Sequence, residues 1–238
     1  EVWRALSNPR VLFWLVVAAA MIAVNWFVYI YAVQSNQVYQ ASLGYYINPL
    51  MYVLVGVTFL GERLRRLQVV SLVLAATGVL ILTLSYGELP WIALALGVSF
   101  TAYGVIRKQV AVGAMPGLFV ETMLLLPLAL GWLVFVIESG QSSFLSGSTA
   151  NDVLLIVAGP LTVVPLVCFA IAARKLTLTI IGFMQFIAPT LQFMVGVAYG
   201  EVLTTAHLVC FVFIWTAVGL FSFDVVRSNR RTAGARES

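Results

Sequence analysis

Eight apolar stretches of about 20 residues each constrain the fold of this chain more than any other feature of its sequence. A helix of about 20 residues crosses the roughly 30 Å of hydrocarbon in a lipid bilayer. In chain order the stretches are A, Val11–Val33; B, Ser42–Gly61; C, Leu67–Leu84; D, Pro90–Ile106; E, Gly117–Ile137; F, Val153–Ala173; G, Leu178–Gly200; and H, Ala206–Val226. Hydrophobic residues make up 62% of the chain and charged residues 9%, whereas soluble domains have about 25% charged residues. The sequence therefore predicts an all-α integral membrane protein with eight transmembrane helices.

The basic residues predict how these helices are oriented. All 13 lie before A or after B, D, F and H, and the loops after A, C, E and G contain none. The five groups are Arg4 and Arg10; Arg63, Arg65 and Arg66; Arg107 and Lys108; Arg174 and Lys175; and Arg227, Arg230, Arg231 and Arg236. Because loops rich in Lys and Arg stay cytoplasmic, both termini of this chain are predicted to be cytoplasmic. Membrane orientation and contact with lipid headgroups explain the net charge of +4. The sequence has no basic face interleaved with aromatic residues, so we do not predict nucleic-acid binding.

A proline-centred segment occurs twice. Ser42–Glu62 and Ile181–Glu201 align Pro49 with Pro189 at an offset of 140 residues, and the Gly-Glu pairs that close them align at an offset of 139. In the orientation above, B runs towards the cytoplasm and G away from it, so the two copies are inverted. This predicts two inverted five-helix repeats, with a binding site where the discontinuous helices meet.

The two repeats contain unequal numbers of helices. A, B and C correspond to F, G and H, but D and E have no counterparts before A. We therefore expect a ten-helix fold whose first two helices are missing from this sequence. The expected divisions are residues 1–86 for the remainder of the first repeat, 87–226 for the second repeat, and 227–238 for a basic cytoplasmic tail.

A polar stripe accompanies each proline. A proline inside a helix leaves the carbonyl four residues earlier without its donor, and that carbonyl then has to face protein or a wet cavity. The stripe of B contains Tyr45, Tyr52 and Phe59, and the equivalent stripe of G contains Gln185, Gln192 and Tyr199. We predict that the two stripes form opposite walls of one polar path, the alternative being two kinked helices that fill a core.

Further polar and aromatic residues at membrane depth are candidates for lining the same cavity. They are Asn25, Trp26 and Tyr29 in A, Asn48 in B, and Ser99 and Tyr103 in D. A buried asparagine is costly in lipid unless it is paired, so Asn25 is expected either to bond another helix or to contact solute. Packing is the alternative role of Trp26, Ser99 and Tyr103.

Glu121 is a carboxylate inside a span, about one turn from the cytoplasmic end of E. A charge at that depth costs on the order of 3 kcal/mol, so a partner or a proton is expected. Arg107 and Lys108 end the preceding helix on the same side. An interfacial salt bridge and a proton-coupling or gating role remain open. Glu62 and Glu201 lie close to the starts of C and H, where the helix dipole favours a carboxylate, and we expect structural roles for both.

Catalytic and cofactor signals are weak throughout the sequence. His207 is the sole histidine, which excludes a His-based metal cluster, and no GxxxxGK[ST] phosphate loop occurs, so we predict neither an enzyme nor a cofactor. The spacing of Gly196 and Gly200 permits close helix contact but is too common to predict a homodimer, which stays open.

Several ordered motifs of this chain closely resemble the RarD-like permeases, a group within the EamA family of the drug/metabolite transporter superfamily. The motifs are NWFVYIYAV (Asn25–Val33), SLGYYINPL (Ser42–Leu50), GERLRRLQ (Gly61–Gln68), SFTAYGVIRK (Ser99–Lys108), ETMLLLPLAL (Glu121–Leu130) and IGFMQFIAPTLQF (Ile181–Phe193). The resemblance implies a ten-helix permease of the bacterial inner membrane, built from two inverted halves whose third and fourth helices help line the cavity. It also implies a link to chloramphenicol sensitivity or resistance.

The residues and the resemblance together predict a secondary transporter that moves a small metabolite or drug-like solute across the lipid bilayer by alternating access. Aromatic rings and amides, rather than fixed charges, line the predicted path, which favours amphiphilic, neutral or zwitterionic solutes. A non-transporting membrane scaffold or sensor is the alternative, as is a fragment that works only with the missing helices.

Overall fold

The structure is a computed structural model of the 238-residue chain, and it describes residues 1–87, 89–140, 142, 144, 148–198 and 204–234. For residues 39, 192–193, 195–198 and 229–234 it describes the backbone alone. Over these ranges every regular element is an α-helix. The helices are α1, Val2–Ser7; α2, Pro9–Gln34; α3, Val38–Thr58; α4, Arg66–Ser85; α5, Trp91–Gln109; α6, Ala114–Glu138; α7, Thr149–Lys175; α8, Leu178–Gln185; α9, Ile187–Ala198; and α10, Thr205–Gly234.

Five of these helices are long and apolar enough to cross a membrane. They are α2, α4, α6, α7 and the first 24 residues of α10, Thr205–Ser228. The helices α3 and α5 overlap the predicted spans B and D, but α3 begins before Ser42 and ends before Gly61. The all-helical, multi-pass membrane character is thus confirmed, while the number of eight spans and their inversion remain predictions.

The segment predicted as the single span G is interrupted. It begins at Leu178 as predicted, but α8 ends at Gln185 and a separate helix, α9, begins at Ile187. The amide of Phe186 donates to the carbonyl of Phe183 at 3.3 Å, a bond over three residues that tightens the last turn of α8. Residues 199 and 200, the predicted end of G, lie outside the described residues.

The two repeated prolines have different local consequences. Pro189 lies in the first turn of α9, where helix amides have no partner within the helix, so its missing N–H group costs no hydrogen bond. Pro49 instead lies inside α3, which continues on both sides of it as one 21-residue helix. The helix is therefore interrupted in the second copy of the repeat and continuous in the first.

The chain divides into two compact units. Unit 1 comprises residues 1–24 and 102–176, and unit 2 comprises residues 25–101 and 177–238. In unit 1, α6 packs against α1 and α7. In unit 2, α4 packs along α10 and α3 packs along α8, and these pairs enclose a core that includes Leu43, Val53, Phe183 and Ile214.

Glycine permits the close approach of α4 and α10. A Cβ atom on Gly78 would lie 2.8 Å from Cβ of Phe213 and 3.1 Å from the carbonyl oxygen of Cys210. Small residues at helix interfaces allow such close backbone packing in membranes.

Candidate functional site

Amide and hydroxyl side chains of unit 2 form two hydrogen-bonded groups between its apolar helices, and both groups include residues of α5. We call Asn25, Asn48, Ser99, Thr101 and Gln185 the amide cluster. Nδ2 of Asn48, on α3, donates to Oε1 of Gln185, on α8, at 2.9 Å. The hydroxyl of Thr101, on α5, donates to Oδ1 of Asn48 at 3.3 Å. One asparagine thereby joins three helices, and it unites residues of both proline-centred segments.

Asn25 forms the second part of the amide cluster. Its Nδ2 donates to the carbonyl of Leu96 and to the hydroxyl of Ser99, both at 2.9 Å, and both partners belong to α5. Ser99 also donates to the carbonyl of Ala95 at 2.7 Å. The interhelical bond that the sequence offered as one role of Asn25 is therefore present, and its solute contact stays a prediction.

The side-chain amide of Gln185 can donate a further hydrogen bond. Among the described residues, no acceptor lies within hydrogen-bonding reach of its Nε2 atom, which is buried although the residue as a whole is only half-buried. An unpaired buried donor costs about 1–3 kcal/mol, so a site that leaves one gains from a ligand or water that accepts from it. The cluster thus offers a hydrogen bond that its own residues do not complete.

Close contact between α8 and α3 determines where Gln185 lies. A Cβ atom on Gly182 would be 2.6 Å from the carbonyl oxygen of Pro49 and 3.2 Å from Cβ of Tyr52. A glycine is therefore required where α8 crosses the proline of α3. This contact lies one helical turn before Gln185 and brings its side chain within reach of Asn48.

The aromatic candidates occupy different environments in unit 2. The rings of Tyr29 and Tyr45 meet edge to face, with centroids 6.1 Å apart, and Tyr45 is partly exposed. Tyr52 is fully buried, and its hydroxyl donates to the carbonyl of Phe100 at 2.9 Å. Trp26 is 42% exposed. The structure therefore groups Tyr29 with Tyr45, while Tyr52 lies in the packed interior. Of the two stripes, the side chain of Gln192 and residue Tyr199 lie outside the described residues.

A charged group occurs in unit 1. We call Tyr103, Arg107 and Glu121 the ion-pair cluster. Nη1 of Arg107, on α5, lies 3.3 Å from Oε1 of Glu121, on α6, and both side chains are almost completely buried. The hydroxyl of Tyr103 donates to the other carboxylate oxygen at 3.3 Å. The salt bridge that the sequence offered as one role of Glu121 is thus present with Arg107.

Glycine also makes room for the ion pair. A Cβ atom on Gly117 would overlap Nη1 of Arg107, so any side chain at position 117 would occupy the space of the guanidinium. Nη2 of Arg107 donates to the carbonyls of Ala114 at 2.7 Å and Gly113 at 3.4 Å. Arg107 therefore holds the first turn of α6 as well as Glu121.

Lys108 takes a different partner from the one expected. Its ammonium group donates to the carbonyls of Ala173, at 3.4 Å, and Leu176, at the C-terminal end of α7. A cation is favoured at that end of a helix by the dipole. Lys108 therefore joins α5 to α7, whereas Arg107 pairs with Glu121.

Two residues of unit 2 were not recognised as site residues from sequence. Thr101 lies within the motif SFTAYGVIRK but was not named as a candidate, although a polar residue in the apolar span D, two positions after Ser99, is a signal that could have indicated it. Glu62 was expected near the start of C, but its carboxylate accepts hydrogen bonds at the start of α8. Its partners are 116 and 117 residues away in sequence, so local spacing could not indicate them.

The chain is similar to transporters. The sequence model of the EamA-like transporter family matches residues 2–84. An uncharacterized transporter of Pseudomonas aeruginosa is 46% identical over 96% of this chain and 78% of its own length. Protein RarD of Escherichia coli is 43% identical over 96% of this chain and 77% of its own length. A second Pseudomonas aeruginosa protein, named chloramphenicol-sensitive protein RarD, is 30% identical over 97% and 77%, respectively.

The fold has a counterpart among solved structures. A crystal structure aligns with 92% of this chain and 82% of its own chain, with a TM-score of 0.64 and 20% sequence identity. That likeness shows the fold alone. The sequence identities to RarD proteins show more: this chain belongs to the EamA-like transporter family, as a RarD-like membrane permease.

Proposed function

We propose that the protein is a secondary transporter that moves small neutral or zwitterionic solutes across the bacterial inner membrane by alternating access. The observation that carries the proposal is the amide cluster of unit 2, in which a buried donor of Gln185 has no acceptor among the described residues. Polar groups at membrane depth are costly and commonly belong to a substrate pathway. Membership of the family supports the transport class, and the amide cluster is the site that we propose.

The chemistry of the cluster selects a class of solute. Its side chains are amides and hydroxyls, which bind neutral polar groups without attracting a particular net charge. The free Nε2 donor of Gln185 suits a solute that presents a carbonyl, carboxylate or hydroxyl oxygen. The tyrosine pair Tyr29 and Tyr45 offers ring surface to an apolar part of the same solute. Phosphorylated solutes, which require cationic groups, fit this cluster poorly.

The proposed topology has eight membrane helices in this chain, with α3 and the α8–α9 segment running in opposite senses and both termini cytoplasmic. The strict alternation of basic and non-basic loops supports this arrangement. The break at Phe186 supports a role for α8 as a half-helix, because discontinuous helices commonly surround transporter binding sites.

Transport assays with purified protein in liposomes test the proposal. The panel comprises labelled amino acids, amines and chloramphenicol, the last because one relative is named for sensitivity to it. A sugar phosphate serves as the anionic comparison. We expect saturable uptake of at least one neutral or zwitterionic solute and none of the sugar phosphate. Absence of flux for every solute would favour a scaffold or sensor, and uptake of the sugar phosphate alone would contradict the site chemistry.

The energy source requires a separate measurement. Uptake is followed with and without an imposed proton gradient in the wild type and in Glu121→Gln, because Glu121 is a buried carboxylate. We expect Glu121 to serve the ion pair, so the variant should retain the gradient dependence of the wild type even where its yield falls. Loss of that dependence alone would assign Glu121 a coupling role.

A further inference from the structure

The carboxylate of Glu62 completes the N-terminus of α8. The first amides of a helix have no partner within the helix and require an external acceptor. Oε1 of Glu62 accepts from the amide of Leu178 at 2.6 Å, and Oε2 accepts from the amide of Thr179 at 2.9 Å and from its hydroxyl at 2.7 Å. The next amide, that of Ile180, donates instead to the hydroxyl of Thr177 at 3.3 Å. Two separate caps therefore serve one short helix.

The backbone after α3 holds Glu62 in the position that this cap requires. The chain turns at Gly61, which has a φ of +66° that disfavours residues with a side chain. The amide of Glu62 then donates to the carbonyl of Gly56 at 2.9 Å. A Cβ atom on Gly56 would lie 2.8 Å from Oε2 of Glu62 and 3.2 Å from Cβ of Leu178. The half-buried carboxylate thus lies between the end of α3 and the start of α8.

The same helix carries the amide that the proposed site uses. α8 has eight residues, with the Glu62 cap at its first residue and Gln185 at its last. Between them, Gly182 lies against the carbonyl of Pro49. α8 ends at Gln185 and the separate helix α9 begins at Ile187, so Gln185 is not held inside one continuous helix. The placement of Gln185 therefore depends on how the short helix is fixed to α3.

We propose that Glu62 is a positioning residue that fixes α8 so that Gln185 presents its amide to the transported solute. The inference rests on the proposed function for its solute and on the contacts above for its mechanism. Charge-assisted hydrogen bonds are roughly twice as strong as neutral ones, so the carboxylate is better suited to this task than an amide. Glu62 itself does not contact the solute.

Hydrogen exchange of the purified protein tests the cap without any transport assay. Glu62→Gln should speed the exchange of the amides of Leu178 and Thr179 and also of residues 182–186. Thr177→Ala is the matched control, because it removes the other cap of the same helix and leaves the bond between α3 and α8. It should speed exchange at Ile180 and leave residues 182–186 at the wild-type rate.

Transport kinetics test the connection to Gln185. We expect Glu62→Gln to raise KM for the solute about tenfold, the equivalent of about one hydrogen bond, with a smaller change in kcat. In the background of Gln185→Leu the same substitution should raise KM no further. Glu138→Gln, the same change at an exposed carboxylate, should match the wild type, and Thr177→Ala should leave KM unchanged.

The outcomes separate this inference from the proposed function. If the wild type transports but Glu62→Gln leaves KM and the exchange of residues 182–186 unchanged, the positioning role is wrong and transport stands. The positioning role is also wrong if Thr177→Ala raises KM equally, because general helix stability would then explain the effect. If no solute is transported while Glu62→Gln still frees residues 182–186, the proposed function fails and the structural mechanism stands.

Discussion

Polar side chains lie among apolar helices in both units, but their burial and pairing differ between the amide cluster of unit 2 and the ion-pair cluster of unit 1. In the ion-pair cluster, Arg107, Glu121 and Tyr103 are each at most 1% exposed, and opposite charges face each other. In the amide cluster the groups are neutral, Asn48 and Gln185 are only half-buried, and a donor is left over. Nε of Arg107 also lacks a hydrogen-bond partner among the described residues, but the ion-pair cluster is buried from outside partners, whereas the half-buried amide cluster can accept one.

This difference indicates separate roles. A buried charge without its partner costs several kcal/mol, so a cluster of this kind tolerates little change and chiefly maintains structure. A neutral amide loses about 0.5–1.5 kcal/mol with one hydrogen bond, so such a cluster can exchange partners as a solute enters and leaves. We therefore expect substitutions in the ion-pair cluster to lower stability, and substitutions in the amide cluster to lower affinity for solute.

The largest effect is expected at Arg107. Arg107→Leu leaves the carboxylate of Glu121 buried without its cation and should lower the free energy of unfolding by about 3–5 kcal/mol. The double variant Arg107→Leu/Glu121→Leu removes both charges and should recover most of that loss. Chemical denaturation in detergent micelles measures both. A double variant as unstable as the single one would contradict a role based on the charge pair.

The next effect concerns the glycine beneath the ion pair. Gly117→Ala places a methyl group where the guanidinium of Arg107 lies, and overpacking of this kind costs about 1–3 kcal/mol. Gly131→Ala, also on α6, is the control, because nothing lies within 4 Å of the Cβ position there. It should be neutral or slightly stabilising. Thermal unfolding of the two variants compares them, and equal destabilisation would contradict the close contact.

A smaller effect on stability, but a clear one on transport, is expected at Gln185. Gln185→Leu removes the bond to Asn48 and the unpaired donor together, so stability should change by no more than about 1.5 kcal/mol. KM for the transported solute should rise about tenfold, as expected for the loss of about one hydrogen bond. Met184→Leu, at the exposed neighbouring position, should leave both quantities unchanged. A large loss of stability with an unchanged KM would reverse the roles of the two clusters.

The smallest effect is expected at Ser99. Ser99→Ala removes one of the two acceptors of Asn25, and the carbonyl of Leu96 remains. The loss of stability should be about 1 kcal/mol or less, because one bond of Asn25 is kept. Asn25→Leu removes both bonds and serves as the comparison. If Ser99→Ala is as damaging as Asn25→Leu, the bond to Leu96 contributes nothing.

The sequence predicted the positions of the helices well, because each apolar stretch of membrane length can form its backbone hydrogen bonds only within a helix. It also indicated the pair of Arg107 and Glu121, since these residues lie near facing ends of consecutive spans. Discontinuous helices were expected in both copies of the repeat, but the interruption occurs in the second copy, at Phe186, and α3 continues through Pro49 in the first. Both copies of the repeat carry a proline at the same place, so the proline alone cannot indicate which copy breaks.

Contacts between distant segments of the chain also could not be predicted from the sequence. The cap from Glu62 to α8 joins residues more than a hundred positions apart, and the nearer helix start, that of α4, was the natural expectation from sequence. At that start it is Gln68 whose side chain accepts from the amide of Arg65, at 3.1 Å. Which helix a carboxylate caps depends on tertiary packing, which the spacing of residues along the chain does not encode.

Equilibrium binding of the transported solute to purified wild type and Gln185→Leu tests the central claim most directly. If the amide cluster holds the solute, Kd should rise about tenfold in Gln185→Leu, equivalent to about 1.4 kcal/mol. It should stay at the wild-type value in Arg107→Leu/Glu121→Leu. An unchanged Kd in Gln185→Leu, together with a raised Kd in the charge-deleted double variant, would contradict the account and move the site to the ion-pair cluster.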